Sequence, residues 1–174
     1  MVRACINDPP AASLVVVRNK KALPSTVETP MIKYFDHITV VISDVEAAKH
    51  FFGLLGFKEN KSVVIKGPVF SSYMGVDGIE AEHITLALEN ISPRIEVQLL
   101  KYRQPVPLPA PTTDSLTNLG FNHICFTVDN LDAEVERLKA AGIKLRNEVM
   151  TFHSRKLVFL CGPDGITVEL AEWV

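Results

Sequence analysis

The sequence predicts an α+β fold of two paired βαβββ modules that form an open, cup-shaped mixed sheet with helices on its convex side. The main observation is a repeat: "DHITVVISDVEAAKHFFGLLGFK" at 36–58 returns as "NHICFTVDNLDAEVERLKAAGIK" at 122–144. The two stretches align without a gap, 86 residues apart, and each joins a strand pattern to an amphipathic helix pattern. The second observation is that short strand-like segments follow each stretch. Two such copies are expected to share one core.

Proline-rich segments separate the predicted modules from the rest of the chain. Four prolines lie among scattered polar residues in the first thirty positions, and four more stand at alternate positions from 105 to 111. Such segments are typical of extended linkers. A short pairing strand at 14–17 is the alternative for the first segment. We therefore divide the chain into an N-terminal extension, a first module, a linker and a second module, at 1–33, 34–103, 104–118 and 119–174, with 34–174 as one functional domain.

Each module is predicted to contain four short strands, because segments rich in Ile, Val, Thr and Phe recur along it. A tight turn is expected before the last strand, where Pro163 and Gly165 of "GPDG" suit the dihedral angles of a turn. The predicted strands are 35–42, 57–65, 80–89 and 94–102 in the first module, and 121–128, 144–150, 155–161 and 166–173 in the second.

One helix is predicted after the first strand of each module. In the first module Ser43 precedes the helix and Glu46 follows three residues later, which is the signature of a capping box. In the second module Asp129 is expected to cap the helix in the same way. Gly56 and Gly142 stand where a left-handed residue would end each helix.

Composition and charge exclude several classes of partner. With 47% hydrophobic and 22% charged residues the chain is able to bury a core, and its net charge of -2 gives no reason to expect nucleic acid or an anionic membrane as a partner. No apolar run approaches the length of a membrane span, and "LVVV" is too short for a secretory signal. Three cysteines, an odd number without a C-x-x-C motif, favour a reducing compartment. We therefore expect a cytoplasmic protein.

Alternation along the strands decides which polar side chains share a face. In the first strand of each module the apolar residues on one side are expected to cover the helix, which leaves His37 and its repeat partner His123 on the opposite, concave side. In the last strand of each module "EVQLL" corresponds to "TVELA". The same alternation places Gln98 and Glu169 on the concave side.

Together these four side chains are predicted to face one cavity. Imidazole nitrogens with amide and carboxylate oxygens suit a divalent metal ion of borderline to hard character, such as Zn, Ni, Co, Mn or Fe(II). Four protein ligands leave room on the ion for water or substrate, as a catalytic site requires. The predicted metal ligands are His37, Gln98, His123 and Glu169.

The residues that predict this site also carry a family resemblance. The chain is similar to the vicinal oxygen chelate superfamily in "FDHITVVISDVEAAKHFFGLLGF", "RIEVQLLKY", "FNHICFTVDNLDAEVERLKAAGI" and "VFLCGPDGITVELAEW". That superfamily includes glyoxalase I, methylmalonyl-CoA epimerase, extradiol dioxygenases, and fosfomycin and bleomycin resistance proteins. The resemblance covers about residues 34 to 174 and implies paired βαβββ modules around a metal ion. The His–Gln–His–Glu set looks most like that of methylmalonyl-CoA epimerase, whereas related glyoxalases often have Glu where Gln98 stands.

The resemblance implies metal-assisted proton transfer on a small-molecule substrate with neighbouring oxygen atoms. The metal would make an adjacent C–H bond acidic, and a carboxylate would move the proton. Glu169 is the first candidate for that carboxylate; Glu96, two residues before Gln98 on the same strand face, is the second. By analogy with the family we expect a homodimer, with the cup formed within one chain or by exchange between two. The insertion at 66–79 is expected to close over the cup as a lid.

Two other functions fit the same residues. A ring-cleaving dioxygenase would hold Fe(II) with His37, His123 and Glu169 alone. A metal-free protein that sequesters a drug or a metabolite would use the same cup without chemistry. Three other polar residues are predicted to line the cavity or to face solvent, namely Glu82, His83 and His153. Arg155 and Lys156 are predicted to lie at a solvated edge, and contact with an anionic substrate is the alternative.

Overall fold

The computed structural model describes residues 32–108 and 115–174. The predictions for the N-terminal extension, including the strand at 14–17, and for the middle of the linker lie outside these residues, so the division of the chain stays a prediction. None of the described helices has the length and apolar character of a membrane span. The elements in chain order are β1 (His37–Val41), α1 (Val45–Leu54), β2 (Phe57–Lys66), α2 (Pro68–Met74), β3 (Glu80–Leu88), β4 (Glu96–Gln104), β5 (Ile124–Thr127), α3 (Leu131–Ala140), β6 (Met150–Phe152), β7 (Arg155–Cys161) and β8 (Thr167–Trp173).

The strands form two four-stranded mixed sheets of the same order. The first sheet runs β1-β4-β3-β2 and the second runs β5-β8-β7-β6. In each sheet the first and last strands of the module are parallel neighbours, and the other neighbours are antiparallel. The register repeats as well: Thr39 lies opposite Gln98, and its repeat partner Cys125 lies opposite Glu169. The predicted α+β fold of two βαβββ modules is confirmed.

One continuous core lies between the helices and the sheets. Alternate residues of the strands point into it, as the sequence pattern predicts. Phe57 at the start of β2 and Phe126 on β5 meet across the two modules, with ring centroids 5.5 Å apart in an edge-to-face arrangement. The largest fully buried members of this core are Ile42, Phe52, Ile84, Leu86, Val97, Leu99, Leu131, Leu138, Val158, Leu160, Val168 and Leu170.

The two modules contact each other through their helix-bearing faces. Just before α1 the backbone N–H of Ser43 donates to the Asp164 carboxylate at 2.8 Å. At the other end of α1 the guanidinium of Arg137 on α3 donates to the carbonyl oxygen of Leu54 at 2.7 Å. The opposite face of each sheet, which we call the open face, carries the exposed alternate residues of β1 and β5. The chain therefore presents two open faces, one in each module.

Both helix caps lie one residue later than the sequence predicts. Asp44, rather than Ser43, caps α1, because its side chain accepts a hydrogen bond at 3.0 Å from the backbone N–H three residues on. Asn130, rather than Asp129, caps α3 in the same way. The cause is the preceding strand in each module: the residue after the strand still donates its N–H to the parallel neighbour, which delays the turn into the helix.

The predicted turns at the ends of the helices and before the last strand are confirmed. Gly56 and Gly142 follow α1 and α3 with φ of 93° and 87°, which L side chains rarely adopt. Pro163–Gly165 forms a single 3-10 turn, in which Asp164 also takes a positive φ of 51°. That turn directs the Asp164 carboxylate toward the first module.

The predicted strand at 144–150 is wrong for most of its length. Only its last residue belongs to a strand, since regular pairing with β7 is confined to Met150–Phe152. The side chain of Asn147 accepts the backbone N–H of Phe159 at 2.8 Å, and so occupies a donor that a strand carbonyl would otherwise use. Local competition by an asparagine side chain therefore interrupts the ladder.

The insertion at 66–79 contains a helix, α2, that the sequence analysis did not predict. Pro68 opens this helix and Gly75 ends it with φ of 63°. Its last residue, Met74, packs on a small cluster that includes Leu100, two residues from Gln98 on β4 and on the same side. The helix therefore covers one end of the first open face. Its role as a lid stays a prediction.

Replacing Asp44 by alanine is expected to lower the free energy of unfolding by about 1 kcal/mol, because an N–H group in the first turn of α1 loses its acceptor. Ser43→Ala is the matched control and is expected to change it by less than about 0.5 kcal/mol, since Ser43 is bonded through its backbone, by its N–H to Asp164 and by its carbonyl oxygen to Lys101. Urea unfolding at one fixed protein concentration measures both. Equal losses in the two variants would contradict the assignment of the cap.

Candidate functional site

The four predicted ligands lie on the open faces, two in each module. His37 and Gln98 stand on β1 and β4, while His123 immediately precedes β5 and Glu169 stands on β8. Their neighbours along each strand pack into the core. The structure thus places all four side chains on the side away from the helices, where alternation predicts them.

In the second module His123 and Glu169 are in direct contact. Nε2 of His123 lies 3.2 Å from Oε2 of Glu169. The other ring nitrogen, Nδ1, donates to Oδ1 of Asn122 at 2.7 Å, and the amide nitrogen of Asn122 donates to the carbonyl oxygen of Leu116. The imidazole also packs edge-on against Phe159, with centroids 5.1 Å apart. These contacts hold Nε2 toward the carboxylate.

His37 is held in a similar way in the first module. Its Nδ1 donates to Oδ1 of Asp36, the residue just before it, at 2.7 Å. A partner on Nδ1 selects the neutral tautomer whose Nε2 keeps its lone pair, which is the form that binds a metal ion. With 41% of its side chain exposed, His37 is accessible on the open face. Each module therefore carries one histidine prepared for ligation by the residue before it.

The Gln98 amide lies at the centre of a hydrogen-bond network. Its Oε1 accepts from Nε2 of His83 at 3.0 Å and from the Thr39 hydroxyl at 3.4 Å, while its nitrogen donates to Glu96 at 3.1 Å. The sequence analysis did not predict the contact with His83. Strand pairing reveals it, because Thr85 lies opposite Gln98 and His83, two residues away, shares the same face.

Glu96, the second candidate for the base, is engaged by two partners. One of its oxygens lies 2.6 Å from Nε of Arg94, and the other accepts from Gln98. These contacts suit the positioning of the Gln98 amide, and the role of Glu96 as a base stays a prediction.

The structure does not bring His37 into the His123–Glu169 pair. Across residues 32–108 and 115–174, no three His, Cys, Asp or Glu side chains lie close enough together to hold a metal ion. The packing of the modules through their helix-bearing faces accounts for this, since it leaves the two open faces apart. The set of four ligands therefore stays a prediction.

The chemistry of the His123–Glu169 pair fits a divalent metal ion. Two ligands that bind one ion at about 2.0–2.1 Å lie roughly 3.0–3.4 Å from each other, and the two atoms of the pair are 3.2 Å apart. Only 13% of the Glu169 side chain is exposed, so its charge is poorly screened by water and attracts a cation more strongly. The His123–Glu169 pair therefore fits a divalent metal ion.

Cys125 lies beside this pair, opposite Glu169 in the sheet. Removal of its sulfur from water, together with the adjacent Glu169 carboxylate, raises the pKa of the Cys125 thiol to about 12, and the positive charge of Arg155 partly offsets the shift. A thiol with this pKa is neutral at pH 7 and is a poor nucleophile. The open face therefore gives no support to cysteine chemistry.

Two basic residues, Arg155 and Lys156, begin β7 and point to its opposite faces. The guanidinium carbon of Arg155 stands 3.8 Å from the centroid of the Trp173 ring on the open face. Lys156 points to the helix-bearing side and forms a 2.6 Å ion pair with Asp132, which raises the pKa of its ammonium group. His153 occupies the turn before β7, with φ of 54°. Only Arg155 among these residues shares a face with Glu169.

Sequence comparison finds a short similarity to a curated enzyme. Glyoxalase I of Saccharomyces cerevisiae is 35% identical to this chain over 54 residues, which is 31% of this chain and 17% of the yeast protein. The match therefore spans only a small part of the relative, and the activity of the whole yeast protein does not follow from it.

Solved structures share the fold over nearly their whole length. The glyoxalase family protein from Bacillus cereus has a TM-score of 0.74 and 23% identity, and the match covers 84% of this chain and 99% of that one. The fosfomycin resistance protein FosX from Listeria monocytogenes, crystallised with Mn(II) and sulfate, has a TM-score of 0.53 and 18% identity, with coverage of 83% and 95%. At these identities the likeness establishes the fold alone.

A family model covers both modules of the chain. It describes the Glyoxalase/Bleomycin resistance protein/Dioxygenase superfamily and matches residues 34–170. The repeated βαβββ topology and the likeness to the B. cereus structure agree with this match. The chain therefore belongs to the Glyoxalase/Bleomycin resistance protein/Dioxygenase superfamily.

Proposed function

We propose that this protein is a metal-dependent lyase or isomerase of the glyoxalase or epimerase type, which moves a proton on a small molecule with vicinal oxygen atoms. The observation that carries the proposal is the His123–Glu169 pair, in which an imidazole nitrogen lies 3.2 Å from a carboxylate oxygen on an accessible face. Superfamily membership limits the reaction classes, and the pair favours those that need both a metal ligand and a proton acceptor. A cytoplasmic location remains part of the proposal.

The proposed ligands of the metal ion are His37, Gln98, His123 and Glu169. Zn, Ni, Co, Mn and Fe(II) all accept two imidazoles, an amide oxygen and a carboxylate, and the similar fold of FosX holds Mn(II). When bound, the ion would act as a Lewis acid and increase the acidity of a C–H bond beside the substrate oxygens.

The residues of the chain would carry the proton itself. Glu169 is proposed to accept it from one carbon atom of the substrate and to return it to the same or a neighbouring carbon. Asn122 and Phe159 fix the imidazole of His123 beside the Glu169 carboxylate. The low exposure of Glu169, 13%, limits competition from water for that proton.

A second copy of the chain is proposed to complete the site. Within one chain the modules meet through their helix-bearing faces. The two halves of the proposed site, His37 with Gln98 and His123 with Glu169, therefore remain on separate open faces. In the described sheets β1 and β5 each have a strand neighbour on one side only. Exposed apolar side chains flank these edges, namely Phe35, Val41 and Phe121, and such edges favour association. We therefore propose a homodimer in which the first open face of each copy meets the second open face of the other.

The metal content of protein purified without chelator tests the proposed function. We expect about one divalent ion per chain. Binding to His123→Ala should be at least about tenfold weaker, because the site loses a nitrogen ligand. His50→Ala, which changes an exposed histidine on α1, is the control and should bind like the native protein.

Exchange of a substrate proton for a solvent deuteron, measured by NMR on hemithioacetals and 2-substituted acyl thioesters, tests the chemistry.

The same measurements separate the two other functions. Bound iron together with oxygen uptake would point to a ring-cleaving dioxygenase. Protein that takes up none of the five metals, even when they are supplied, would point to a metal-free binding protein. Either result would overturn the proposed lyase or isomerase.

A further inference from the structure

We propose that Arg155 and Trp173 form an anion-binding subsite, which selects substrates that carry a carboxylate-like group at the end away from the reacting carbon atoms. The inference rests on the function proposed above and names a substrate class for the same open face. Arg155 and Trp173 would bind the distal end of the substrate, whereas His123 and Glu169 would act at its reacting end.

Arg155 and Glu169 lie on the same face of the second sheet. Arg155 pairs with Trp173 and Phe159 pairs with Glu169 on the antiparallel strands β7 and β8. Residues four apart along a strand point to the same side, and their Cα atoms lie roughly 13 Å apart. The long Arg155 side chain spans part of this gap, and its charge acts on Cys125, which lies opposite Glu169. An elongated small molecule is able to bridge the two groups.

The guanidinium of Arg155 is available to a ligand. Its central carbon lies 3.8 Å from the centroid of the Trp173 ring, a contact that restrains the cation without using its N–H groups. Among the described residues no carboxylate lies within ion-pair distance of Arg155. By contrast, Arg94, Arg103 and Arg137 are each paired with a glutamate. Within the described part of the chain Arg155 is therefore a restrained cation with no ion-pair partner.

The surroundings of Arg155 suit a ligand with an apolar body and a charged end. Met150 and Phe152 lie on the adjacent strand β6, and Phe152 pairs with Arg155. Met150, Phe152 and Trp173 are 49%, 56% and 60% exposed. Apolar side chains around one cation are typical of pockets that bind an organic acid. Lys156 does not contribute, because Asp132 neutralises it on the other face.

A binding experiment with paired probes tests the subsite. Trp173 is the only tryptophan of the chain, so its fluorescence reports binding on this face. The probes are 4-phenylbutyrate and the neutral 4-phenylbutyramide, added to the full chain after treatment with a chelator, so that no metal ion competes for the carboxylate. We expect the carboxylate to bind about tenfold more tightly than the amide, and Arg155→Gln to abolish this preference. Lys156→Gln is the matched control and should keep it.

Two further variants make the result specific. Arg155→Lys keeps the charge but not the planar fork of donors, and should keep only part of the preference. His123→Ala should keep the full preference for the carboxylate probe. Loss of the metal site can therefore be told apart from loss of the anion subsite. Native protein that binds both probes equally, or a preference that survives in Arg155→Gln, would overturn the proposal.

Discussion

Replacing Glu169 by glutamine is expected to lower kcat by about 10²- to 10⁴-fold, because the reaction loses its proton acceptor. The substitution keeps the shape of the side chain and leaves an amide oxygen able to bind a metal ion, as proposed for Gln98. The affinity for the metal should therefore fall much less than kcat. A residue that served only as a ligand would lose metal and turnover together.

Glu172→Gln is the matched control for this experiment. Glu172 lies on the same strand but on the opposite face, where its carboxylate accepts the backbone N–H of Leu131 at 2.8 Å. Its replacement should lower stability slightly and leave kcat unchanged. Steady-state kinetics with parallel metal analysis measures both variants. If Glu169→Gln keeps its metal and more than about a tenth of the native kcat, the assignment of Glu169 as the base is wrong.

A heterodimer of His37→Ala and His123→Ala chains is expected to recover about half of the native metal content, although each variant alone binds little. In the proposed dimer one site of the heterodimer carries both substitutions and the other carries neither. Chains that build the whole site from their own residues would show no such recovery. The experiment therefore distinguishes a site built within one chain from a site built between two copies.

Two different affinity tags on co-expressed chains allow the heterodimer to be purified, and metal analysis and kcat then give independent measures of recovery. A heterodimer of His37→Ala and His50→Ala chains is the control. One of its two sites should also be intact, whichever way the sites are built. A defective His37/His123 heterodimer beside a half-active control would show that the site does not span two copies.

The arrangement of polar side chains within each module follows from the sequence, whereas the arrangement between modules does not. Alternation around His37 and Glu169 assigns their faces because one face of each strand is needed for the core. The contact of His83 with Gln98 depends on the pairing of β3 with β4, which alternation within one strand does not contain. How the modules meet depends on contacts such as Phe57 with Phe126, between residues far apart in the chain.

The errors in the sequence prediction come from local competition for hydrogen bonds. Ser43 has the residue type of a cap. The residue before it, Ile42, still donates its backbone N–H to the neighbouring strand, so the helix begins later and Asp44 caps it. The predicted strand at 144–150 fails because the Asn147 side chain binds a ladder donor. In both cases a hydrogen bond to a neighbouring strand or side chain decides where the element begins or ends, and residue types alone do not predict which bond forms.

The bond between Ser43 and Asp164 has a consequence for the ancestry of the chain. If the two modules descend from one duplicated unit, the position equivalent to Asp164 in the first copy is Pro93, which has no side-chain acceptor. The first copy also has Gln98 where the second has Glu169. At both positions only the second copy has a carboxylate: Asp164 bonds to the first module, and Glu169 lies on the open face. The repeat is therefore only approximate at the contact between the modules and at the candidate site.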